Sequence, residues 1–260
     1  MPGSLSIEER VAYIQNLGNA EIALYSAGPI ASANVVGGST VAFLDGMDGG
    51  LRADVSNSTL LAQYAADIAY PGRLTGQRAA WNSEYIKALK NVGWVAHDIK
   101  YDTVRLQTGD CADTVPSDAE VSDISTYVTV DKLVIALAAG YLTGEEHGLF
   151  VKTIQSLQKD RDALKVFDSK SKYDDQAGFQ LGVASQSGNS ALLKMSMYKY
   201  SASQNISGSA LFLIFGTQQI TFYAAHQTMA LDGTVYASVR ETVKEKLGAN
   251  IKQFIMSIKF

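Results

Sequence analysis

The three histidines are the side chains of this 260-residue sequence most suited to acid–base chemistry or metal binding, but their spacing argues against a shared site. His97 lies in a predicted strand, His147 follows Glu145 and Glu146 at a predicted helix break, and His226 lies in an apolar strand. None has a second histidine or a cysteine at the spacing of a metal-ligand pair. We therefore expect structural or exposed histidines, with no metal or cofactor.

Other short motifs also fail to predict a catalytic site. The S-x-x-K matches at residues 156–159 and 196–199 lack the partner motifs of the enzymes that use this sequence. Residues 45–50 (DGMDGG) do not follow the register of a calcium-binding EF-hand loop. Cys111 is the only cysteine, which excludes an internal disulfide. The sequence predicts no catalytic residue and indicates a protein that is not an enzyme.

Composition narrows the class of protein further. The chain is 47% hydrophobic and 18% charged, which is typical of a globular domain. Its formal charge of −4 does not indicate the basic surface of a nucleic-acid-binding protein. The longest strongly apolar run, residues 133–142, is half the length of a membrane-spanning helix. The first ten residues do not resemble a signal peptide. We expect a protein that is cytoplasmic as synthesised, and export by a non-classical route stays open.

The first 170 residues predict mainly helices. Ser6 and Glu9 form a capping box before an apolar face that continues to Leu17. Gly93 is placed to end a later helix as its C′ residue. The other predicted elements are an extended piece at 40–44, helices at 57–69 and 77–91, a strand at 94–106, and a long helical stretch at 129–166 that breaks at Gly144 or Gly148.

After Asp175 the period of the apolar residues changes from that of a helix to that of a strand. Asp232-Gly233 is a strong hairpin signal. The predicted fold class is α+β: a helical N-terminal part packed on a C-terminal antiparallel sheet, closed by a C-terminal helix. Residues 1–260 form one domain in this prediction, with a possible subdivision into 1–170 and 171–260. The predicted later elements are strands at 179–184, 193–197, 211–215, 220–231 and 234–239, and a helix at 239–254.

The strongest signal is a shortage of charge in the predicted sheet. Between Asp175 and Asp232 lie 56 residues whose only charged side chains are Lys194 and Lys199. The average of the whole chain would place about ten charged residues there, and strands with one face in water carry charges on that face. These strands are therefore predicted to lie away from water.

Three explanations fit the missing charges. Helices cover both faces of the sheet, another subunit covers it, or a hairpin inserts into a membrane. We predict a non-enzymatic protein that associates with itself as a homo-oligomer. The alternatives are a toxin-like, membrane-active protein and an enzyme whose site is assembled only by the fold. The candidate interface or membrane-facing residues are Leu211, Leu213, Phe215, Phe222 and Tyr223.

Part of the chain resembles a set of uncharacterised bacterial and fungal proteins. The resemblance rests on residues 58–63 (STLLAQ), on Trp81 and Tyr85, and on residues 93–95 and 239–254. It implies a similar size, with helices first and strands later. No activity is established for that set, so the resemblance implies no residue roles.

Overall fold

The computed structural model describes residues 5–18, 32–71, 77–106, 129–202, 204–214, 220–248 and 256–258. Within these ranges the chain forms helices α1–α7 and strands β1–β8. In chain order they are α1 Ile7–Gln15, β1 Ala33–Val36, β2 Ser39–Phe43, α2 Gly49–Ala69, α3 Arg78–Asn91, β3 Trp94–Leu106, α4 Val130–Ala139, α5 Gly144–Lys159, α6 Arg161–Asp168, β4 Lys172–Tyr173, β5 Gln176–Ser187, β6 Ser190–Ala202, β7 Ile220–Leu231, α7 Gly233–Leu247 and β8 Met256–Ile258.

One mixed sheet holds all of these strands, in the order β3-β7-β6-β5-β2-β1-β8, with β4 paired to β5. Neighbouring strands are antiparallel except β2 and β5, which run parallel. The predicted α+β class is confirmed: most helices come first, the long strands of the sheet come later, and α7 follows them. The N-terminal strands β1–β3 also join this sheet, so it is wider than the predicted C-terminal one.

Two helical layers cover the two faces of the sheet. Helices α4, α5 and α6 pack on one face in a core cluster that includes Phe179, Tyr198 and Phe222. Helices α2, α3 and α7 pack on the opposite face around Trp81 and Met195. The charge-poor strands β5, β6 and β7 lie in the middle of this arrangement. Burial within the chain is therefore sufficient to explain their lack of charge, because an ion in such a core is costly unless it is paired.

Local signals place several boundaries as predicted. The Ser6 hydroxyl accepts the Glu9 N–H at 3.2 Å, and the Glu9 carboxylate accepts the Ser6 N–H at 2.7 Å, which is the predicted capping box of α1. Gly93 follows α3 with φ of +103°, a conformation that favours glycine, and β3 begins at the next residue. A Cβ at Gly93 would also lie 3.0 Å from the Val235 side chain.

The predicted hairpin at Asp232-Gly233 is wrong. The Asp232 carboxylate accepts the N–H groups of Thr234 and Val235 at 3.0 Å each, so it caps α7. The predicted strand 234–239 is therefore helical, because an aspartate before Gly satisfies a first helical turn as well as it forms a tight turn. Helix α7 ends at Leu247, earlier than predicted, and strand β8 follows it after residues outside the described ranges.

The predicted strand at 211–215 is also wrong for its described part. Ile214 forms only an isolated bridge to Thr129, and Leu211 and Leu213 are buried outside any strand. The Asp168 carboxylate accepts the Ala210 N–H at 3.0 Å, which ties this segment to the end of α6. Backbone groups that bond to a side chain in this way leave the sheet ladder.

Two helix boundaries differ from the prediction as well. Helix α2 begins at Gly49, eight residues before the predicted start at 57, because the Asp48 carboxylate caps it by accepting the N–H groups of Gly50 and Leu51. The long helical stretch breaks at Gly144 as predicted, where Thr143 caps α5, and it breaks a second time at Asp160, which was not predicted.

Candidate functional site

The five predicted interface residues do not share one surface. Leu211, Leu213 and Phe222 belong to the core cluster under α4–α6, where the Phe222 ring lies 5.7 Å from that of Tyr198. Phe215 lies outside the described residues. Tyr223 points to the opposite face of β7 and is 44% exposed. Of the four described residues, Tyr223 is thus the one that a partner can reach without unfolding the core.

Tyr223 lies beside the β3 end of the sheet. Strand β3 has thirteen residues, and among the described strands only β7 pairs with it. Tyr223 is opposite Thr103 of β3, and near the start of that strand Val95 is 51% exposed. We call strand β3, which includes Val95, together with Tyr223 of β7 the β3 edge. A long strand with one neighbour presents backbone donors and acceptors that a second strand can pair with.

A cavity of about 920 Å³ lies on the same face of the sheet as Tyr223. Strands β6 and β7 form its floor and helices α1 and α3 its walls, so we call it the α1–α3 cavity. Its lining is mainly apolar. Among the described residues, the lining side chains are Leu5, Glu9, Tyr13, Ala79, Asn82, Ser83, Ile86, Lys87, Lys90, Asn91, Met197, Ala225 and Gln227.

Within the described part of the chain, two amide side chains that line the α1–α3 cavity have a buried polar atom without a hydrogen-bond partner. The Gln227 side chain is on the floor and only 4% exposed, and its Nε2 has no partner. Asn82 lies in the α3 wall, and its buried Oδ1 also has none. Buried polar atoms in folded proteins almost always have a partner. The cavity therefore offers hydrogen-bonding capacity that the described residues do not use.

Charged groups around the α1–α3 cavity are mostly engaged. The Glu9 carboxylate accepts the Ser6 N–H, and the Lys87 ammonium pairs with Glu84 at 3.1 Å. The Tyr13 hydroxyl donates to Glu84 at 3.3 Å. Burial, reinforced by the Glu84 carboxylate, raises the pKa of Tyr13, so the hydroxyl is neutral across the physiological range.

A second, more open cleft of about 640 Å³ lies at the end of the sheet and includes His97. Its ionic groups bind one another: the Arg240 guanidinium donates two hydrogen bonds to the Asp54 carboxylate, at 2.9 and 2.7 Å. This pairing raises the pKa of Arg240. Asp232, also in the cleft, caps α7. The ionic groups that share the cleft with the exposed His97 are therefore engaged with each other or with the start of α7.

A serine–histidine pair lies on the face covered by α4–α6. The Ser196 Oγ is 2.7 Å from the His226 Nδ1 across strands β6 and β7, and both side chains are buried. The Tyr141 ring packs on His226 with 4.9 Å between centroids, and burial raises the pKa of Tyr141 to about 12. A nucleophile must be reached by its substrate. This pair is sealed in the core, so its hydrogen bond serves packing.

The other residues that the sequence analysis considered for chemistry have structural roles where they are described. The His147 Nε2 lies 3.0 Å from the Ile135 carbonyl oxygen and joins α5 to α4. Asp48 of the DGMDGG segment caps α2. Cys111 lies outside the described residues. Among the described residues, no three His, Cys, Asp or Glu side chains are grouped as a metal site would require.

Glu146 and Lys194 form a largely buried ion pair at 2.7 Å between α5 and β6. Burial raises the pKa of Glu146, but the hydrogen bonds from Lys194 and Thr143 outweigh it and hold the pKa below the ordinary value of 4.5. A carboxyl with a lowered pKa in the folded state stabilises the fold above its unfolded pKa, and this contribution is lost as the pH falls through the folded value.

We expect Glu146→Gln to lower the free energy of unfolding by about 2 kcal/mol at neutral pH, because Lys194 loses its partner. The difference from the unchanged protein should shrink as the pH falls below about 4.5, because Glu146 is then protonated first in the unfolded chain and, at a lower pH, in the folded one. Urea unfolding at several pH values measures both. Glu241→Gln, which removes the partner of an exposed Lys244 pair, is the control and should change stability little. A pH-independent effect of Glu146→Gln would contradict the account.

Comparison with known proteins gives little further information. No family model matches the chain, and a search of the curated proteins finds no match. Among solved structures, one titled "Structure of the Evf virulence factor" aligns over 95% of this chain and 97% of that one, with 12% identity and a TM-score of 0.42. A likeness at this level supports no statement about function. Within the described ranges, no helix has the length and hydropathy needed to cross a bilayer.

Proposed function

We propose that this protein is non-enzymatic and associates with itself, and that copies of the chain meet along the β3 edge. The observation that carries the proposal is the length of β3, thirteen residues with β7 as the one paired strand in the described part of the chain. Addition of a strand to such an edge provides a ladder of backbone hydrogen bonds. The partner in this proposal is a second copy, with no nucleic acid involved.

The charges of β3 support pairing with an identical strand. The strand carries two acidic residues, Asp98 and Asp102, and two basic ones, Lys100 and Arg105, so two copies do not repel through net charge. Antiparallel pairing about Tyr101 would place Lys100 of each copy opposite Asp102 of the other. Opposite charges at facing positions stabilise paired strands, whereas like charges destabilise them.

The irregular start of β3 limits the part that can pair. The register with β7 shifts between Ala96 and Ile99, and such a bulge protects a strand edge from pairing. From Ile99 to Leu106 the register is continuous. We therefore place the contact within residues 99–106, with residues 99–103 of the two copies paired about Tyr101. Tyr223 of β7 lies beside Thr103 in this span, and Val95 lies before the bulge.

The two alternatives require larger changes of this fold. A membrane-active form would have to remove β6 and β7 from between two helical layers, and the many apolar contacts of those layers oppose this. An enzyme would need a substrate to reach the sealed Ser196–His226 pair or to use the engaged groups around His97. Self-association along β3 needs no such rearrangement, because among the described strands only β7 occupies one of its edges.

Sedimentation velocity over a range of micromolar concentrations tests the proposal. We expect the unchanged chain to show a monomer–oligomer equilibrium. The double variant Val95→Lys/Tyr223→Lys adds two charges to the β3 edge and should weaken association by about tenfold or more, since like charges brought together at an interface disfavour it. Both substitutions replace exposed side chains, so we expect the circular dichroism spectrum of the double variant to match that of the unchanged chain.

The matched control is the double variant Ile214→Lys/Tyr173→Lys. These residues are 62% and 56% exposed and lie outside the β3 edge, so the control adds the same charges to other apolar surface. It should associate like the unchanged chain. A strictly monomeric unchanged chain would overturn self-association, and equal weakening by both double variants would overturn its location at the β3 edge.

A further inference from the structure

We propose that the α1–α3 cavity binds a small, uncharged and largely apolar molecule that carries a hydrogen-bonding group. The cavity volume of about 920 Å³ is within the range of sites for drug-sized ligands. Such sites combine mainly apolar walls with a few placed polar groups. The floor residues Met197 and Ala225 and the wall residue Ile86 provide the apolar surface.

The unpartnered amide of Gln227 points to a ligand. Its Nε2 is buried at the cavity floor, and a buried polar atom without a partner costs stability. A leucine at this position of β7 would avoid that cost. The Asn82 Oδ1 in the wall adds a second unused polar atom. An amide side chain can both donate and accept, so these two residues suit a ligand that has an N–H, O–H or C=O group on an apolar body.

The lining favours an uncharged ligand. Glu9 and Lys87 are engaged with Ser6 and Glu84, as described above, and the floor holds neutral side chains. A charged group seated on that floor would lose its hydration without gaining an ion partner. Lys90 at the rim is the remaining charged lining residue, and it is exposed to water.

Two fluorescent probes with the same aromatic skeleton test the charge preference. N-phenyl-1-naphthylamine is neutral with one N–H donor, and 8-anilinonaphthalene-1-sulfonate adds an anionic group to it. We expect saturable, one-site binding of the neutral probe, about tenfold tighter than that of the sulfonate, because the sulfonate must be desolvated. Absence of saturable binding of the neutral probe would overturn the site. Equal or tighter binding of the sulfonate would overturn the uncharged class.

Cavity-filling variants locate the binding. Ala225→Phe places a ring on the floor and should weaken binding of the neutral probe by about tenfold or more, since the volume is no longer free. Ala230→Phe is the matched control: it is also a half-buried alanine of β7, and it lines the His97 cleft instead. Equal effects of the two substitutions would overturn the assignment to the α1–α3 cavity. Circular dichroism and thermal unfolding confirm that each variant is folded.

Gln227→Leu separates a ligand-binding amide from a structural one. It should weaken binding of the neutral probe by about fivefold and at the same time raise the urea midpoint of the ligand-free protein, because an unpartnered amide is removed. A lower midpoint would show that the amide supports the fold and has no ligand role. Unchanged binding would show that it does not contact the probe, and either result overturns the role of Gln227. Binding to Val95→Lys/Tyr223→Lys should be unaffected, which keeps this test independent of self-association.

Discussion

Replacing Phe222 by lysine is expected to leave the chain unfolded at every protein concentration. The Phe222 side chain is completely buried, with its ring centroid 5.7 Å from that of Tyr198 and 5.9 Å from that of Tyr200. Truncation of a buried phenylalanine to alanine costs about 3–5 kcal/mol, and an unpaired ammonium in the same place costs more. Because domains are stable by about 5–15 kcal/mol, this loss removes the folded state. Far-UV circular dichroism and urea unfolding measure it.

The neighbouring substitution Tyr223→Lys is the control for Phe222→Lys. Tyr223 follows Phe222 on β7 but points to the other face, where it is 44% exposed, so we expect its free energy of unfolding to change by only about 0.5 kcal/mol. The two variants thus add the same charge at adjacent positions with opposite outcomes. If Phe222→Lys instead gave a folded, dissociated monomer, Phe222 would belong to a subunit interface. That result would contradict the claim that helices of the same chain cover this face of the sheet.

Trp81→Ala tests the opposite helical layer, and we expect it to lower the free energy of unfolding by about 4 kcal/mol. Trp81 is fully buried in α3, and its ring stacks on Tyr85 with 5.5 Å between centroids. Its indole N–H donates to the Asp67 carboxylate at 2.8 Å. The alanine variant leaves a large cavity in the core cluster of this layer and removes this donor. Urea unfolding with an unchanged m-value gives the difference.

Trp81→Phe distinguishes the hydrogen bond from the packing. Phenylalanine keeps a ring against Tyr85 but cannot donate to Asp67, so about 1–2 kcal/mol should be lost. The alanine variant should therefore cost at least twice as much as the phenylalanine variant. A cost of less than about 1.5 kcal/mol for Trp81→Ala would be below the range for buried aromatic residues and would contradict a tightly packed layer on this face.

Elements defined by local chemistry could be predicted from the sequence. The capping box of Ser6 and Glu9 places the start of α1, and Gly93 marks the passage from α3 to β3. The turn at Gly188 and Asn189 lies between β5 and β6, in the gap between the strands predicted at 179–184 and 193–197. In each case the deciding interactions lie within a few residues, so the local pattern already contains them.

Elements decided by distant contacts could not be predicted. Residues 211–214 have the apolar content of a strand, but the Asp168 carboxylate, about forty positions away, holds their backbone near α6. Asp232-Gly233 fits both a hairpin and a helix start, and the buried face of α7 selects the helix. The shortage of charged residues correctly predicted that β5–β7 are buried. It could not show what covers them, which the packing of helices α2–α7 on the two faces of the sheet does.

The α1–α3 cavity could not be predicted from the sequence, because the residues that line it are distant from one another along the chain. Gln227 is one of several uncharged polar residues in a charge-poor strand, and nothing in its neighbours marks it. Its importance depends on which face of β7 it occupies and on the position of Asn82 in α3, which are distant in sequence. The alternation along β7 places Gln227 on the face of Tyr223, and that alternation is the one signal that was present.

Hydrogen exchange measured at low and high protein concentration tests the central claim most directly. The account predicts that the amides of β5, β6 and β7 exchange equally slowly at both concentrations, because the chain's own helices cover them. It also predicts that amides in residues 99–106 of β3 exchange more slowly at high concentration, because a second copy pairs with that edge. Protection of β5–β7 that appears only at high concentration would contradict the account, as would protection of β3 that does not change.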